Sequence, residues 1–171
     1  MTSNIKIIKI NSEISSIILN EPKTYNSLSF KNLIDLLKAL KKLDADNKVK
    51  VIIIEGAGKG FSAGHNLKEV RGLKKRDRYQ KLFNLCSKVM LQIVEGRKPV
   101  IAKVHGAAFA AGCQLVASCD LAYSTKDALF ATPGVNIGLF CSTPMVAVSR
   151  KINRKSCLLY TSPSPRDAHK S

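Results

Sequence analysis

The chain has 171 residues, of which 45% are apolar, and a formal net charge of +16. No apolar run approaches the ~20 residues that span a bilayer, and the lysine-interrupted N-terminal stretch lacks a signal-peptide pattern. Five cysteines without a C-x-x-C pair favour reduced thiols over a disulfide framework or a metal site. We therefore expect a cytoplasmic protein, or one of the mitochondrial matrix in a eukaryote, without membrane contact and without a bound metal.

The basic residues are spread along the chain and do not form a stripe interleaved with aromatic residues. This distribution favours a lysine-rich solvated surface over a nucleic-acid interface, and the same positive field would attract a small anionic ligand. Nucleic acid is therefore not the expected partner. If it were, its affinity would depend steeply on salt.

The first elements in chain order are a β-hairpin and a helix. Residues 5–10 and 14–19 are rich in β-branched residues and flank a polar turn, which predicts two antiparallel strands. The turn-rich residues 20–26 predict a loop. Ser29 can cap a helix whose apolar residues recur at helical spacing: Leu33, Leu36, Leu37, Leu40 and Leu43.

A continuous β-branched run over residues 49–54 predicts a buried central strand, and it leads into a glycine-rich loop at 56–66. A basic connector around 71–78 follows. The next helix is marked by Tyr79, Leu82, Phe83, Cys86, Met90 and Ile93. Gly96 and Pro99 predict its end.

A second strand-to-helix connection has many small residues. Residues 99–104 predict a buried strand, and residues 112–118 predict a helix that follows the small residues. A helix N-terminus presents unpaired N–H groups and the positive end of a dipole, so this connection can hold an anion or a developing oxyanion. The alternative interpretation is a tight packing corner that binds nothing.

The last part of the chain predicts a short strand at 120–124 and a Pro/Gly-punctuated loop at 130–139, which we expect near the same connection. Thr143 and Pro144 have the form of an N-cap and the first residue of a helix, with Val146 and Val148 behind them.

After residue 155 the sequence has neither helical nor strand periodicity, and its Ser/Pro pairs are typical of a disordered or non-native end. We therefore expect an α/β core over residues 1–153 and a tail over residues 154–171 outside the fold.

Residues 58–63 fit a G-x-G-x-x-A dinucleotide-binding pattern that follows a strand. That pattern requires a second strand ending in an acidic residue ~20 positions later, where Phe83 lies within a helical pattern. A P-loop is excluded because no Lys followed by Ser or Thr closes the glycine run.

Taken together, the two glycine-rich segments indicate one protein family, although neither does so alone. Residues 60–69, GFSAGHNLKE, and residues 106–114, GAAFAAGCQ, resemble the two signature segments of the crotonase, or enoyl-CoA hydratase/isomerase, superfamily. Residues 19–28 are similar to the early CoA-contacting segment of that family. The resemblance covers about residues 5–153 and implies a spiral of repeated β-β-α units that lacks the C-terminal helical part. Complete members of the family form homotrimers or hexamers.

The resemblance also implies a site. Family members bind an acyl-CoA thioester as substrate, without a further cofactor, and polarise its carbonyl between two backbone N–H groups. The matching positions here are His65 and Ala111, and the helix that begins at Gly112 would stabilise the enolate. Substrate contacts are implied at Lys23, Tyr25, Ser27, Ala63, Asn66, Leu67, Ala107, Gly112, Pro133 and Gly138.

The sequence departs from the family at the acid–base positions. Hydratases of the family use two glutamates as general acid and base, and the matching positions hold Gln114 and Gly134. An amide cannot take up a proton at neutral pH, and glycine has no side chain. Classical hydration is therefore not expected. An isomerase, hydrolase or decarboxylase reaction stays open, as does a non-catalytic acyl-CoA-binding or regulatory protein.

Several other polar groups lie in or near these segments. The imidazole of His65 could transfer protons, although its expected contribution is the backbone N–H. Cys113 and Cys141 are predicted to be packing thiols, because no neighbouring cation in the sequence would activate them. Structural hydrogen bonds are expected for Asn66 and His105, and Asp120 is expected to end the preceding helix and not to react.

Overall fold

In a computed structural model that describes residues 4–153, the chain folds into a five-stranded sheet, a second small sheet and surrounding helices. The elements are β1 (Ile5–Lys9), β2 (Ile14–Leu19), α1 (Phe30–Ala45), β3 (Val51–Gly56), α2 (Leu67–Gly72), α3 (Arg76–Val94), β4 (Val100–Val104), β5 (Ala107–Phe109), α4 (Ala111–Ser118), β6 (Leu121–Ser124), β7 (Leu129–Ala131) and α5 (Ser142–Ser149). Two 3₁₀ helices cover Pro22–Thr24 and Pro133–Ile137. The predicted tail at 154–171 lies outside the described residues.

The order of elements is a repeated β-β-α unit. Strands β1 and β2 precede α1, β4 and β5 precede α4, and β6 and β7 precede α5. In the unit from β3 to α3, the second strand is reduced to a single bridge between Ser62 and Ala108. This architecture confirms the predicted spiral of β-β-α units.

The large sheet has the order β1-β2-β3-β4-β6, and the predicted antiparallel hairpin of β1 and β2 is confirmed at its edge. The other pairs are parallel. Strands β5 and β7 form the second sheet, which also carries the Ser62 bridge. The first strands of the units thus build the core sheet, while their second strands meet beside the glycine-rich segments.

Helix α1 packs on β1 and β2 of the core sheet, and α3 packs against α1 and α4. Ser29 caps α1 as predicted, because its side chain accepts a hydrogen bond from the N–H of Asn32. The apolar spacing of both helices is confirmed by their buried side chains, Leu33, Leu36, Leu40, Leu43, Leu82, Cys86, Met90 and Ile93. Phe83 departs from this pattern and is 37% exposed in the first half of α3.

The structure corrects two local predictions. The basic connector expected at 71–78 is largely helical, since α2 ends at Gly72 and α3 begins at Arg76. The predicted cap at Thr143 is wrong: α5 begins at Ser142 with Cys141 at the N-cap. Pro144 is the third helical residue. The N–H groups in the first turn of a helix have no partner within that helix, so the missing N–H of Pro144 costs no helical hydrogen bond.

Candidate functional site

The two glycine-rich segments lie directly against each other. The N–H of Ser62 donates to the carbonyl of Ala107 at 3.0 Å, and the N–H of Phe109 donates to the carbonyl of Ser62 at 2.9 Å. These bonds join residues far apart in sequence into one backbone layer, so residues 62–65 and 107–112 are held at a fixed separation.

Glycine is required where the segments touch most closely. A Cβ atom on Gly64 would lie 2.9 Å from the backbone nitrogen of Ala111, and Gly64 has a φ of +86° that other residues rarely adopt. A Cβ atom on Gly112 would overlap the carbonyl of Ser62. The two backbones can approach this closely only because both positions lack a side chain.

This close contact brings two backbone donors into the same region. Gly64 precedes His65 and packs on the nitrogen of Ala111, the first residue of α4. Within residues 4–153, neither the N–H of His65 nor that of Ala111 donates to a backbone carbonyl. Two free donors at the positive end of a helix dipole can bind one negatively polarised acceptor atom.

Asn26 fixes the first glycine-rich segment from the other side. Its side-chain amide donates to the carbonyls of Ala57 and Gly60 at 2.8 and 2.9 Å, and its Oδ1 accepts from the N–H of Glu21. Asn26 has a φ of +53°, which asparagine tolerates better than most residues. Sequence reasoning missed this role; the turn-rich composition around Asn26 was the available signal.

The predicted CoA-contacting residues have different surroundings. Lys23 and Tyr25 are exposed, and the carbonyl of Tyr25 accepts from the N–H of Ala63 at 2.9 Å. Ser27 is buried, and its hydroxyl donates to Oγ1 of Thr24 at 3.0 Å. Lys23 and Tyr25 can therefore reach a ligand, whereas the hydroxyl of Ser27 is already used within the loop.

The other predicted contact residues fall into two groups. Ala63, Asn66, Leu67, Ala107 and Gly112 lie in or next to the paired segments, and Pro133 and Gly138 lie at the two ends of the second 3₁₀ helix. The N–H of Ala110 donates to the carbonyl of Ala131 at 2.9 Å, which brings the 130–139 segment to the site as expected.

The imidazole of His65 is held in one orientation. Its Nδ1 lies 3.2 Å from the carbonyl oxygen of Leu28, and its ring meets the Phe83 ring edge-on at 5.3 Å. Nε2 is buried without a partner among the described residues. Burial lowers the pKa of His65, against the opposing effects of the Leu28 carbonyl and Glu69. The ring is therefore neutral at pH 7, and Nε2 carries the free lone pair.

Gln114 is buried one helical turn after Ala111 on the same face of α4, with 6% of its surface exposed. Its Oε1 has no hydrogen-bond partner among the described residues. Side chains of a helix point back toward its N-terminus, so the amide lies over the turn that carries Ala111. It can accept a hydrogen bond there but cannot transfer a proton.

Gly134, which the family resemblance places at the second acid–base position, is buried. A Cβ atom there would lie 2.5 Å from the carbonyl oxygen of Leu139 and 2.6 Å from Sγ of Cys141. The backbone therefore leaves no room for a side chain at this position unless residues 139–141 move.

The remaining polar groups have structural roles, as predicted. Oδ1 of Asn66 accepts from the N–H groups of Lys68 and Glu69 and so caps α2. Nε2 of His105 lies 2.8 Å from the carbonyl of Gly58, and Oδ2 of Asp120 accepts from the N–H of Val100 at 2.8 Å.

The cysteines of the described region are free and buried, which confirms the expected packing thiols at Cys113 and Cys141. Burial raises the pKa of Cys113 to about 11, with a further contribution from Cys141. Residues 4–153 contain no cluster of three or more His, Cys, Asp or Glu side chains that could hold a metal ion. None of their helices is long and apolar enough to cross a membrane.

Comparison with known proteins identifies the family. A family model described as "Enoyl-CoA hydratase/isomerase" matches residues 9–170. The chain belongs to the enoyl-CoA hydratase/isomerase family. Among its relatives is human "Enoyl-CoA hydratase domain-containing protein 3, mitochondrial", which is 51% identical over 149 residues, or 85% of this chain and 48% of that protein. The chain thus spans about half the length of the curated relatives it matches.

Solved structures of family members share the fold. An enoyl-CoA hydratase of Mycobacterium smegmatis superposes with a TM-score of 0.90 at 44% identity, covering 96% of this chain and 66% of that one. The human enoyl Coenzyme A hydratase domain-containing protein 3 gives a TM-score of 0.89 with the same identity and coverage. The crotonase fold predicted from the two glycine-rich segments is confirmed.

Proposed function

We propose that the chain binds an acyl-CoA thioester and polarises its carbonyl between the backbone N–H groups of His65 and Ala111. The observation that carries this proposal is that neither donor has an acceptor among the described residues, while Gly64 packs on the nitrogen of Ala111. A negative oxygen that forms when the thioester becomes an enolate would be stabilised by both donors and by the dipole of α4.

The function that follows is an enzyme of fatty-acid or carboxylic-acid metabolism that stabilises a thioester enolate. The donors are fixed before any ligand binds, so they need no reorganisation during the reaction. Removal of one such donor reduces the rate by about a hundredfold or more in enzymes of this type. Coenzyme A enters as part of the substrate, and no other cofactor is required.

The experiment replaces Gly64 by Ala. The added methyl group would lie 2.9 Å from the Ala111 nitrogen and block its approach to an acceptor. We expect the affinity for butyryl-CoA, measured by isothermal titration calorimetry, to fall by up to about tenfold, the worth of one hydrogen bond to the carbonyl. Gly72→Ala is the control, because Gly72 lies outside the predicted substrate contacts and has no atom within 4 Å of the added Cβ. Equal binding by the two variants would contradict the proposed donor pair.

A second candidate is a non-catalytic acyl-CoA-binding or regulatory protein. The position of Gly134 favours it, since a glutamate there would require residues 139–141 to move. Gln114→Glu restores one acid without this obstacle. Loss of crotonyl-CoA absorbance in Gln114→Glu, but not in the native chain, would indicate an acyl-CoA pocket whose native reaction is not hydration. Tight binding of a panel of thioesters, with no turnover by either form, would favour the binding protein.

The compartment and assembly are part of the same proposal. The human relative is named as mitochondrial, which favours the mitochondrial matrix over the cytoplasm. Exposed apolar side chains in the last described part of the chain support association into a trimer or hexamer: Leu121, Tyr123, Leu129, Ile137, Leu139 and Phe140. Light scattering after size exclusion measures this directly, and a monomer at micromolar concentration would contradict the assembly.

A further inference from the structure

The backbone around the proposed His65 donor is bonded to the loop that precedes α1. The N–H of Leu28 donates to the carbonyl of Gly64 at 2.7 Å, and the carbonyl of Leu28 lies 3.2 Å from Nδ1 of His65. Leu28 thus contacts the residue before the donor and the side chain of the donor residue itself. These bonds fix the N-terminal side of the His65 peptide.

Helix α2 begins two residues after His65 and is weakly packed. Asn66 connects the two, and its side chain caps α2. No residue of α2 is buried, although Val70 is partly buried against the core. A movement of α2 would therefore meet little resistance from packing, and it would be passed through Asn66 to the backbone of His65.

One side chain of α2 bonds to a different helix. Oε2 of Glu69 accepts from the N–H of Phe30, the first residue of α1, at 2.9 Å. Within residues 4–153, no other hydrogen bond joins α2 to another element. The carboxylate lies at the positive end of the α1 dipole, which favours its negative charge. Ser29 caps the same helix through the N–H of Asn32, so Glu69 and Ser29 satisfy different donors.

We propose that Glu69 is a positioning residue, whose bond to Phe30 holds α2 in the place that directs the N–H of His65 at the thioester oxygen. This inference rests on the proposed function. Leu28 fixes the chain on one side of the donor, and Phe30 fixes it on the other side through Glu69. The donor is therefore oriented before the thioester binds, and no free energy is spent on ordering it.

The polarisation of the carbonyl can be measured with the full chain and butyryl-CoA that carries ¹³C at the thioester carbonyl. Hydrogen bonds to a carbonyl oxygen withdraw electron density from its carbon and move the ¹³C resonance downfield. We expect this shift with the native chain, and Glu69→Ala should remove about half of it, because one of two donors is misdirected. In calorimetric titration, the affinity for butyryl-CoA should fall about fivefold, while that for free coenzyme A should change by less than about twofold.

Three further variants separate positioning from stability and from charge. Glu69→Gln should restore the native shift and affinity, because its amide oxygen can accept from the N–H of Phe30. Ser29→Ala removes a different cap bond of α1 and leaves Glu69 in place. Glu95→Ala removes an exposed acid of equal charge at the end of α3. The Ser29 and Glu95 variants should keep the native ¹³C shift.

The other outcomes distinguish this inference from the proposed function. An unchanged shift in Glu69→Ala, or an equal reduction in Ser29→Ala, would overturn the positioning role and leave thioester binding intact. If Glu69→Gln behaves like Glu69→Ala, the charge of the carboxylate acts on the His65 imidazole and the positioning bond is wrong. If butyryl-CoA does not bind to the native chain, or binds without a downfield shift, the proposed function fails and this inference with it.

Discussion

The paired glycine-rich segments and the part of the chain from β6 to α5 differ in how far their side chains are buried. In the first region, Gly64 and Gly112 pack on the backbone of the opposite segment, and the neighbouring side chains are buried. In the second region, every residue of β6 is exposed, and Ile137 is 65% exposed. The proposed N–H donors, those of His65 and Ala111, belong to the first region, whereas Gly134 is a buried residue within the second.

The groups that would polarise the carbonyl and the groups that would transfer a proton therefore depend on different parts of the chain. Polarisation of a carbonyl needs only backbone groups, and the close glycine contacts fix these within the chain itself. Proton transfer needs a side chain at a defined position, and Gly134 supplies none. Both proposed polarising donors are therefore present in this chain, whereas the positions that the family resemblance gives to the acid and the base hold Gln114 and Gly134.

The largest effect should come from truncating a leucine in each region. Leu115 of α4 is completely buried, so Leu115→Ala removes packed methyl groups and leaves a cavity, at an expected loss of about 2–5 kcal/mol in the free energy of unfolding. Leu121 of β6 is 53% exposed, and Leu121→Ala should change this free energy by less than about 0.5 kcal/mol. Urea denaturation followed by circular dichroism measures both. Similar losses would show that the β6–α5 region is as firmly packed as the glycine segments.

A smaller effect should separate Gly112 from Gly134. A Cβ atom at either position would overlap a backbone oxygen, that of Ser62 or of Leu139. Gly112→Ala forces apart two hydrogen-bonded segments and should lower the free energy of unfolding by about 1–3 kcal/mol. Gly134→Ala should lower it less, because the exposed residues after Gly134 can shift. A larger loss in the free energy of unfolding for Gly134→Ala than for Gly112→Ala, in the same urea titration, would contradict this prediction.

The caps of two helices provide a finer comparison. Ser29 accepts a hydrogen bond at the start of α1, and Ser29→Ala should lower the free energy of unfolding by about 1 kcal/mol. Ser142 begins α5 without a side-chain cap bond there, since Cys141 holds the N-cap. Ser142→Ala should stay within about 0.5 kcal/mol of the native chain. Thermal unfolding detects this difference, and an equal loss in both variants would contradict the assigned caps.

The smallest effect concerns pH. Because burial lowers the pKa of His65 in the folded state, the unfolded chain binds a proton at higher pH than the folded chain does. The stabilising effect of a neutral His65 is present above pH ~6.5 and is lost as the pH falls below that value. Glu69 is the charged group that acts on this imidazole and opposes the shift. Urea midpoints between pH 5 and 8 should show this decline, and His65→Phe should flatten it. If the urea midpoint of His65→Phe depends on pH as strongly as that of the native chain, groups other than His65 cause the decline.

The sequence by itself determined the elements whose signals are local. The β-branched runs predicted β1 to β4, helical spacing predicted α1 and α3, and the serine before α1 predicted its cap. The two glycine-rich segments also identified the family and directed attention to His65 and Ala111. These signals act within one turn or strand, so they can be recognised without knowledge of the rest of the chain.

Tertiary structure decided what depends on residues distant in sequence. Strands β5 and β7 have no strand pattern of their own, because they form only by pairing with each other and with Ser62. For the same reason, the sequence could not predict that the Asn26 side chain binds the first glycine-rich loop or that Gly134 has no space for a side chain. Such features follow from which surfaces pack together, and local propensity carries no information about that packing.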